Sequence, residues 1–162
     1  MNTGTIVLLI VVALIVLIGV YIGVTYNKLV KSKNSVEEAF STMDVYLKKR
    51  WDLIPNIVAS VKGYAKHEAE TLEKVISARN NGYSSMNSQQ KLEANAELNT
   101  AIKSLNVVAE QYPELKANQN FMDLNAQLKK TEEDISNARK FYNAVVKHYN
   151  NTVEMFPSSI VA

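Results

Sequence analysis

Between Ile6 and Val24 the chain runs nineteen residues without a charge, and fifteen of them are isoleucine, leucine or valine. As a helix rising ~1.5 Å per residue this segment reaches roughly 28 Å, close to the ~30 Å hydrocarbon core of a bilayer. At roughly −0.3 to −0.6 kcal/mol for each Ile, Leu or Val, its preference for lipid sums to several kcal/mol. A cleaved signal peptide is the competing reading. It needs a basic start, a shorter apolar core and small residues at the cleavage point. Met1 to Thr5 carries no basic side chain, and Gly23-Val24-Thr25 is a weak cleavage match. The absence of cysteine excludes a lipid-modified cysteine anchor. Residues 1–26 therefore read as a short N-terminus and a retained single-pass anchor, with the lipid bilayer as partner of residues 6–24.

Lys28, Lys31 and Lys33 follow the apolar run, whereas no basic side chain precedes it. Basic flanks stay in the cytoplasm, which predicts a cytoplasmic location for the domain that follows. A cysteine-free chain fits a reducing compartment. The net charge of +2 is too small to argue for nucleic acid, and no basic stripe interleaved with aromatics occurs.

The remaining residues suffice for one modest core. Beyond the anchor only Pro55, Pro113, Pro157, Gly63 and Gly82 punctuate the chain, which favours long helices. Apolar positions recur at three-four spacing in four stretches. The first holds Leu29, Val36, Phe40, Met43 and Leu47. The second runs from Ile54 through Val58, Val61 and Tyr64 to Ile76, and the third from Leu92 through Leu98 and Leu105 to Tyr112. In the fourth the stripe extends from Phe121 through Leu128, Ile135, Tyr142 and Tyr149 to Thr152 and Phe156. These patterns predict an all-α chain: a transmembrane helix, then an antiparallel four-helix bundle over 27–157, with 158–162 as its end. The expected helices lie near 27–50, 53–81, 88–111 and 118–155.

Local chemistry sets the boundaries. Asn80-Asn81-Gly82 and the Ser/Asn-rich residues after it predict a loop, and Tyr112-Pro113 a helix end. Asn120, with Asp123 three residues on, reads as an N-cap. At Trp51-Asp52-Leu53-Ile54-Pro55, Asp52 capping a new helix predicts a tight reversal, with a kink in one long helix as the alternative. The reversal would bring the 51–55 and 112–119 turns together at the end farthest from the lipid.

No catalytic constellation is evident. His67-Glu68 has no second histidine at zinc-helix spacing, so a metal centre would need His148 brought in from elsewhere. Neither a Gly-rich phosphate loop nor a nucleophile turn occurs. The expectation is no catalytic residue, metal or cofactor. Arg50 falls on a stripe, with Arg79 and Arg139 beside stripes. Buried arginines need acceptors, so they are expected to bridge helices to carboxylates such as Asp52, Glu68, Glu110 or Glu132.

Several segments resemble the LemA family in order and spacing. They include Tyr26-Asn27-Lys28-Leu29-Val30, Asp44 through Asn56, Val61-Lys62-Gly63-Tyr64-Ala65-Lys66-His67-Glu68 and Tyr112-Pro113-Glu114-Leu115-Lys116-Ala117-Asn118. Thr131-Glu132, Ala138-Arg139, Tyr142-Asn143, Tyr149-Asn150 and Phe156-Pro157 extend the match. Glu133-Asp134 departs from the Asn-then-basic pair of that pattern. The resemblance implies a bacterial membrane protein with an N-terminal anchor and a four-helix domain. It also suggests association with membrane proteases or other envelope proteins.

The function expected is a membrane-tethered scaffold or adaptor that binds membrane or envelope proteins without catalysis of its own. An accessory subunit of a membrane enzyme such as a protease is the alternative. The contact surface is expected at Trp51, Asp52, Tyr112, Pro113, Lys116 and Asn118, as exposed aromatic and proline-rigidified turns suit partners. Gly19 and Gly23, four apart in the span, offer a face for association between copies.

Overall fold

The computed structural model describes residues 2–79 and 82–162. Asn80 and Asn81 of the expected loop lie outside the described residues. Among those described, helix takes nearly the whole chain and no strand occurs, which gives the all-helical class expected. The elements are α1 (Thr3–Tyr64), α2 (Ala69–Ser77), α3 (Ser88–Gln111), α4 (Pro113–Lys116) and α5 (Gln119–Glu154). Single 3-10 turns stand at Tyr83–Ser85 and Ser158–Ile160.

The reversal expected at Trp51–Pro55 is not there. α1 is one helix of 62 residues, with Pro55 inside it. Asp52, expected as a cap, instead accepts a hydrogen bond at 2.9 Å from Lys48, one turn earlier. The physical reason lies in the phase of the buried stripe. Met43, Leu47, Arg50, Ile54, Ile57, Val61 and Ala65 follow one another at intervals of three and four, and all are buried. The two stretches read from sequence as separate helices are one uninterrupted face. Proline deprives the carbonyl of Trp51 of its partner, at a cost of about 3 kcal/mol. Burial of the stripe on both sides of residue 55 outweighs it.

The chain turns at Ala65–Glu68 instead, just after the weak helix former Gly63 and at the last buried position of the stripe, Ala65. α2 follows with Leu72 and Val75 buried. The helix expected over 53–81 is thus divided between the end of α1 and α2. α3 begins at a capping box: the amide of Gln90 donates to Asn87 Oδ1 at 2.9 Å, and the amide of Asn87 donates to Gln90 Oε1 at 2.9 Å. It ends at Gln111, and Pro113 opens α4 at a position where its missing N–H costs nothing. The cap of α5 is Asn118 rather than Asn120, its Oδ1 accepting from the amide of Phe121 at 3.0 Å. Asp123 instead accepts from the Gln119 side chain.

Two compact units are distinguishable, one of the chain up to Ala39 with Phe141–Ala162, the other of Phe40–Lys140. In the first, α1 is long and apolar enough to cross a membrane by length and composition, and none of that apolar stretch is buried. Its first buried residue is Thr25, followed by Leu29, Ser32 and Ala39 on one face. Thr152 is buried on α5 with Tyr142, Val145 and Tyr149 half-buried, but Phe156, expected to continue that stripe, lies beyond the helix and is exposed. In the second unit, Met43, Leu47, Ile54 and Val61 share the core with Val75, Leu98, Leu105, Leu115, Phe121, Leu128 and Ile135.

A Pro55→Ala substitution discriminates the continuous helix from a reversal. Restoring the missing amide should raise the unfolding free energy of the detergent-solubilised chain by about 1–3 kcal/mol. Loss of stability in chemical denaturation would contradict a helix through residue 55.

Candidate functional site

The stripe of α1 contains one charge, Arg50, which is only 2% exposed. A buried guanidinium without acceptors costs several kcal/mol, so the fold must bring acceptors to it. α3 supplies most of them. Arg50 Nη2 donates to Asn95 Oδ1 and to the Asn95 carbonyl, each at 2.7 Å, and Nε donates to Asn95 Oδ1 at 3.2 Å. Nη1 donates to Asn99 Oδ1. From α5, Glu132 Oε1 lies 3.8 Å from Nη1, one of the carboxylate bridges anticipated from sequence. Asn95 is itself fully buried, and its Nδ2 donates to the Lys91 carbonyl at 2.9 Å. Burial lowers the Arg50 pKa, opposed chiefly by the Glu132 charge. Because arginine starts above ~12, it stays cationic.

Six residues earlier on α1, Asp44 organises a second cluster. Tyr83 donates its hydroxyl to Asp44 Oδ1 at 2.5 Å, and Lys91 Nζ donates to Asp44 Oδ2 at 2.5 Å. The Lys91 ammonium lies 5.0 Å from the centre of the Tyr83 ring, within cation–π range. That ring in turn packs 5.2 Å from Trp51 at an interplanar angle of 48°. Burial pushes the Tyr83 hydroxyl above the ordinary tyrosine range, and its bond to the Asp44 carboxylate adds to the shift. Arg50 and Tyr83 thus each hold one protonation state at neutral pH. The arrangement ties α1, α3, α5 and the 83–85 turn together.

The expected contact surface is divided by this geometry. Trp51 is 4% exposed and belongs to the core, so it cannot serve as surface. Asp52 is exposed and paired with Lys48. Tyr112 and Asn118 are half-buried, while Pro113 and Lys116 are exposed. Asn118 Nδ2 donates to the Tyr64 hydroxyl at 3.0 Å, so the 112–118 segment meets the end of α1. Thirteen residues separate Tyr64 from Trp51, roughly 20 Å along the helix. The turn that joins the 112–118 segment is therefore the one after Tyr64, not one at 51–55. His67 and His148 are exposed, and no group of His, Cys, Asp or Glu among the described residues could hold a metal ion. Arg139 is exposed.

A groove that sequence reasoning missed lies beside Pro55. Ile54, Pro55, Val58 and Ala59 of α1 face Ile76 of α2 around a cavity of about 340 Å³, with Lys62 and Arg79 also lining it. The Nε atom of Arg79 is buried without a hydrogen-bond partner. The spacing from Ile54 to Ile76 read as one stripe on a single helix, whereas the hairpin at 65–68 folds its two halves against each other. No short motif announces that turn.

All-helical architecture with one helix able to cross a membrane defines a class of candidate single-anchor helical proteins. Residues 39–162, which include Arg50, Tyr83, Asn95 and the groove, match the model of the LemA family. The chain belongs to the LemA family, as the resemblance implied. It is similar to Protein LemA of Metamycoplasma hominis, with 26% identity over 144 residues. The match takes in 88% of this chain and 65% of that relative's length.

Arg50→Met should cost about 3–5 kcal/mol, as it strands the buried acceptors of Asn95. Glu132→Gln should cost below ~1 kcal/mol, since that carboxylate is 45% exposed. Equal losses in denaturant titrations would refute this division of labour. The Tyr83 shift carries a pH signature as well. Because its folded pKa is raised, its contribution is complete below the ordinary value near 10 and fades as the pH climbs above it. Tyr83→Phe should therefore flatten the alkaline decline in stability, measured as the change in melting temperature between pH 9 and pH 11, taken as roughly one unit either side of that value.

Proposed function

We propose that this chain is a membrane-tethered adaptor that holds a segment of another membrane or envelope protein in the Pro55 groove. The reading assigns no catalysis to the chain itself. Residues 6–24 act as the anchor, and Lys28, Lys31 and Lys33 keep the domain cytoplasmic. The domain works as an antiparallel four-helix bundle built from α1 beyond the anchor, α2, α3 and α5. The Arg50 contacts with α3 and α5 support that arrangement.

The observation that carries the proposal is the unpartnered Arg79 Nε beside apolar walls. A buried donor without an acceptor costs about 1–3 kcal/mol, which an arriving carboxylate recovers. Lys62 supplies a second cation, while Ile54, Val58, Ala59 and Ile76 offer apolar surface. The fitting occupant is a peptide segment with an acidic residue beside an aliphatic one. At about 340 Å³ the groove sits at the lower end of ligand pockets, roughly 300–1,000 Å³, and takes a few side chains.

A photo-crosslinking residue at Ala59, exposed at the groove, should capture a discrete membrane protein in cells. One at Val107, exposed on α3, should not. Arg79→Glu should abolish capture without altering helicity, and Lys62→Glu should weaken it. Capture that persists in Arg79→Glu, or equal capture from Val107, would overturn the assignment.

A further inference from the structure

The two most exposed large apolar side chains among the described residues are not in the 6–24 segment. They are Phe156 at 80% and Ile160 at 73%, with Met155 at 62%, whereas the most exposed residue of the apolar span, Leu17, reaches 65%. We infer that residues 155–160 form a second membrane contact, inserting Met155, Phe156 and Ile160 into the interface of the bilayer that holds residues 6–24. The inference rests on the anchor reading above.

Position within the first unit supports it. The buried stripe of α1 in that unit begins at Thr25, one residue after the uncharged run. On α5 the last buried position is Thr152, three residues before Met155. In this unit the two buried stripes lie on α1 and on the end of α5, the packed parts of the two helices. Where that packing stops, α1 continues into the span and α5 gives way to the exposed segment. Tyr26, 59% exposed, stands at the same border, where aromatic side chains favour the headgroup region.

Chemistry of the segment fits a lipid surface better than water or a polar partner. From Met155 to Ala162 no side chain is charged. Several of its polar groups are bonded within the segment or to the end of α5, which lowers the cost of entry into a low dielectric. The Ser158 hydroxyl donates to the Met155 carbonyl at 2.8 Å. The amides of Met155, Ser159, Ile160 and Val161 donate to Asn151, Met155, Pro157 and Ser158 respectively. The segment is a turn that leaves Met155, Phe156 and Ile160 exposed.

The chain has no cysteine, so single cysteines at Phe156, Ile160, Leu14 and Val107 can each carry an NBD fluorophore in the full-length protein. The proteins are placed in phosphatidylcholine–phosphatidylglycerol vesicles with or without nitroxide-labelled lipid. Labels at 156 and 160 should be blue-shifted and lose most of their emission to headgroup-level nitroxides. The label at Leu14 should respond to deep nitroxides, and that at Val107 to neither. Quenching at Leu14 without quenching at 156 and 160 overturns the inference and leaves the anchor standing. Shielding of 156 and 160 from aqueous iodide but not from lipid nitroxides assigns the segment to a protein contact, which also overturns it. Absence of quenching at Leu14 removes the anchor reading, and the inference with it.

Discussion

A single cation buried on the long helix governs the second unit. Arg50 occupies a position on a stripe of α1 that is otherwise apolar, and it cannot shed its charge. Apolar faces tolerate small slides past one another, but five donors on a planar fork do not. Asn95 meets the requirement with both its side chain and its main chain, which fixes α3 against α1 in rotation and in height. Glu132 then sets α5 from the other side with a weaker, partly solvated attraction. Stability is the lesser part of this arrangement, since an apolar residue of similar volume often serves as well. Registry is what the charge contributes, and the neighbouring Asp44–Tyr83–Lys91 cluster extends it to the turn before α3.

How much of this was legible depended on the range over which each signal acts. Helix content, the boundaries of α3 and the start of α5 follow from apolar spacing and from residues within a turn of each boundary. Such signals are local, and they read correctly within a residue or two. Pro55 misled because its local preference for a helix start is real, yet the stripe from Met43 to Val61 keeps its phase across it. Counting intervals through the proline, rather than stopping at it, exposes one continuous face. The cap of α5 shows the same effect at smaller scale, as Asn118 and Asn120 are equally plausible until the turn after α4 is built. The groove was illegible for a different reason. Ile54 and Arg79 are 25 residues apart in sequence, and only the hairpin at 65–68 makes them neighbours. Arg50 as a bridging residue was readable from a charge on an apolar stripe, but the amide acceptors were not, because carboxylates are the commoner partners.

Two buried hydroxyls are satisfied within their own helices. Thr131 donates to the Gln127 carbonyl at 2.8 Å and Thr152 to the His148 carbonyl at 2.9 Å, each within its own helix. A threonine satisfied in this way presents its methyl group outward and acts as a small apolar residue. Together with Thr25, Ser32, Ala39 and Ala138, these positions keep the covered stripes of α1 and α5 narrow. Larger side chains share those stripes, among them Met43, Leu47 and Ile54 on α1 and Phe121 and Leu128 on α5.

The pattern of α1 changes character at Thr25. Before it, apolar side chains point in every direction around the helix, and none is buried. After it, only every third or fourth residue is buried, and lysine, glutamate and asparagine take the other faces. A helix apolar on all sides is stable only in apolar surroundings, whereas one with a single apolar stripe needs a packed partner and water. One unbroken helix cannot meet both demands in one solvent. On the anchor reading proposed above, the residue at which its periodicity switches is the residue at which its environment switches. A similar change occurs at the end of α5, where the last buried position is Thr152 and exposed, uncharged apolar residues begin three positions later.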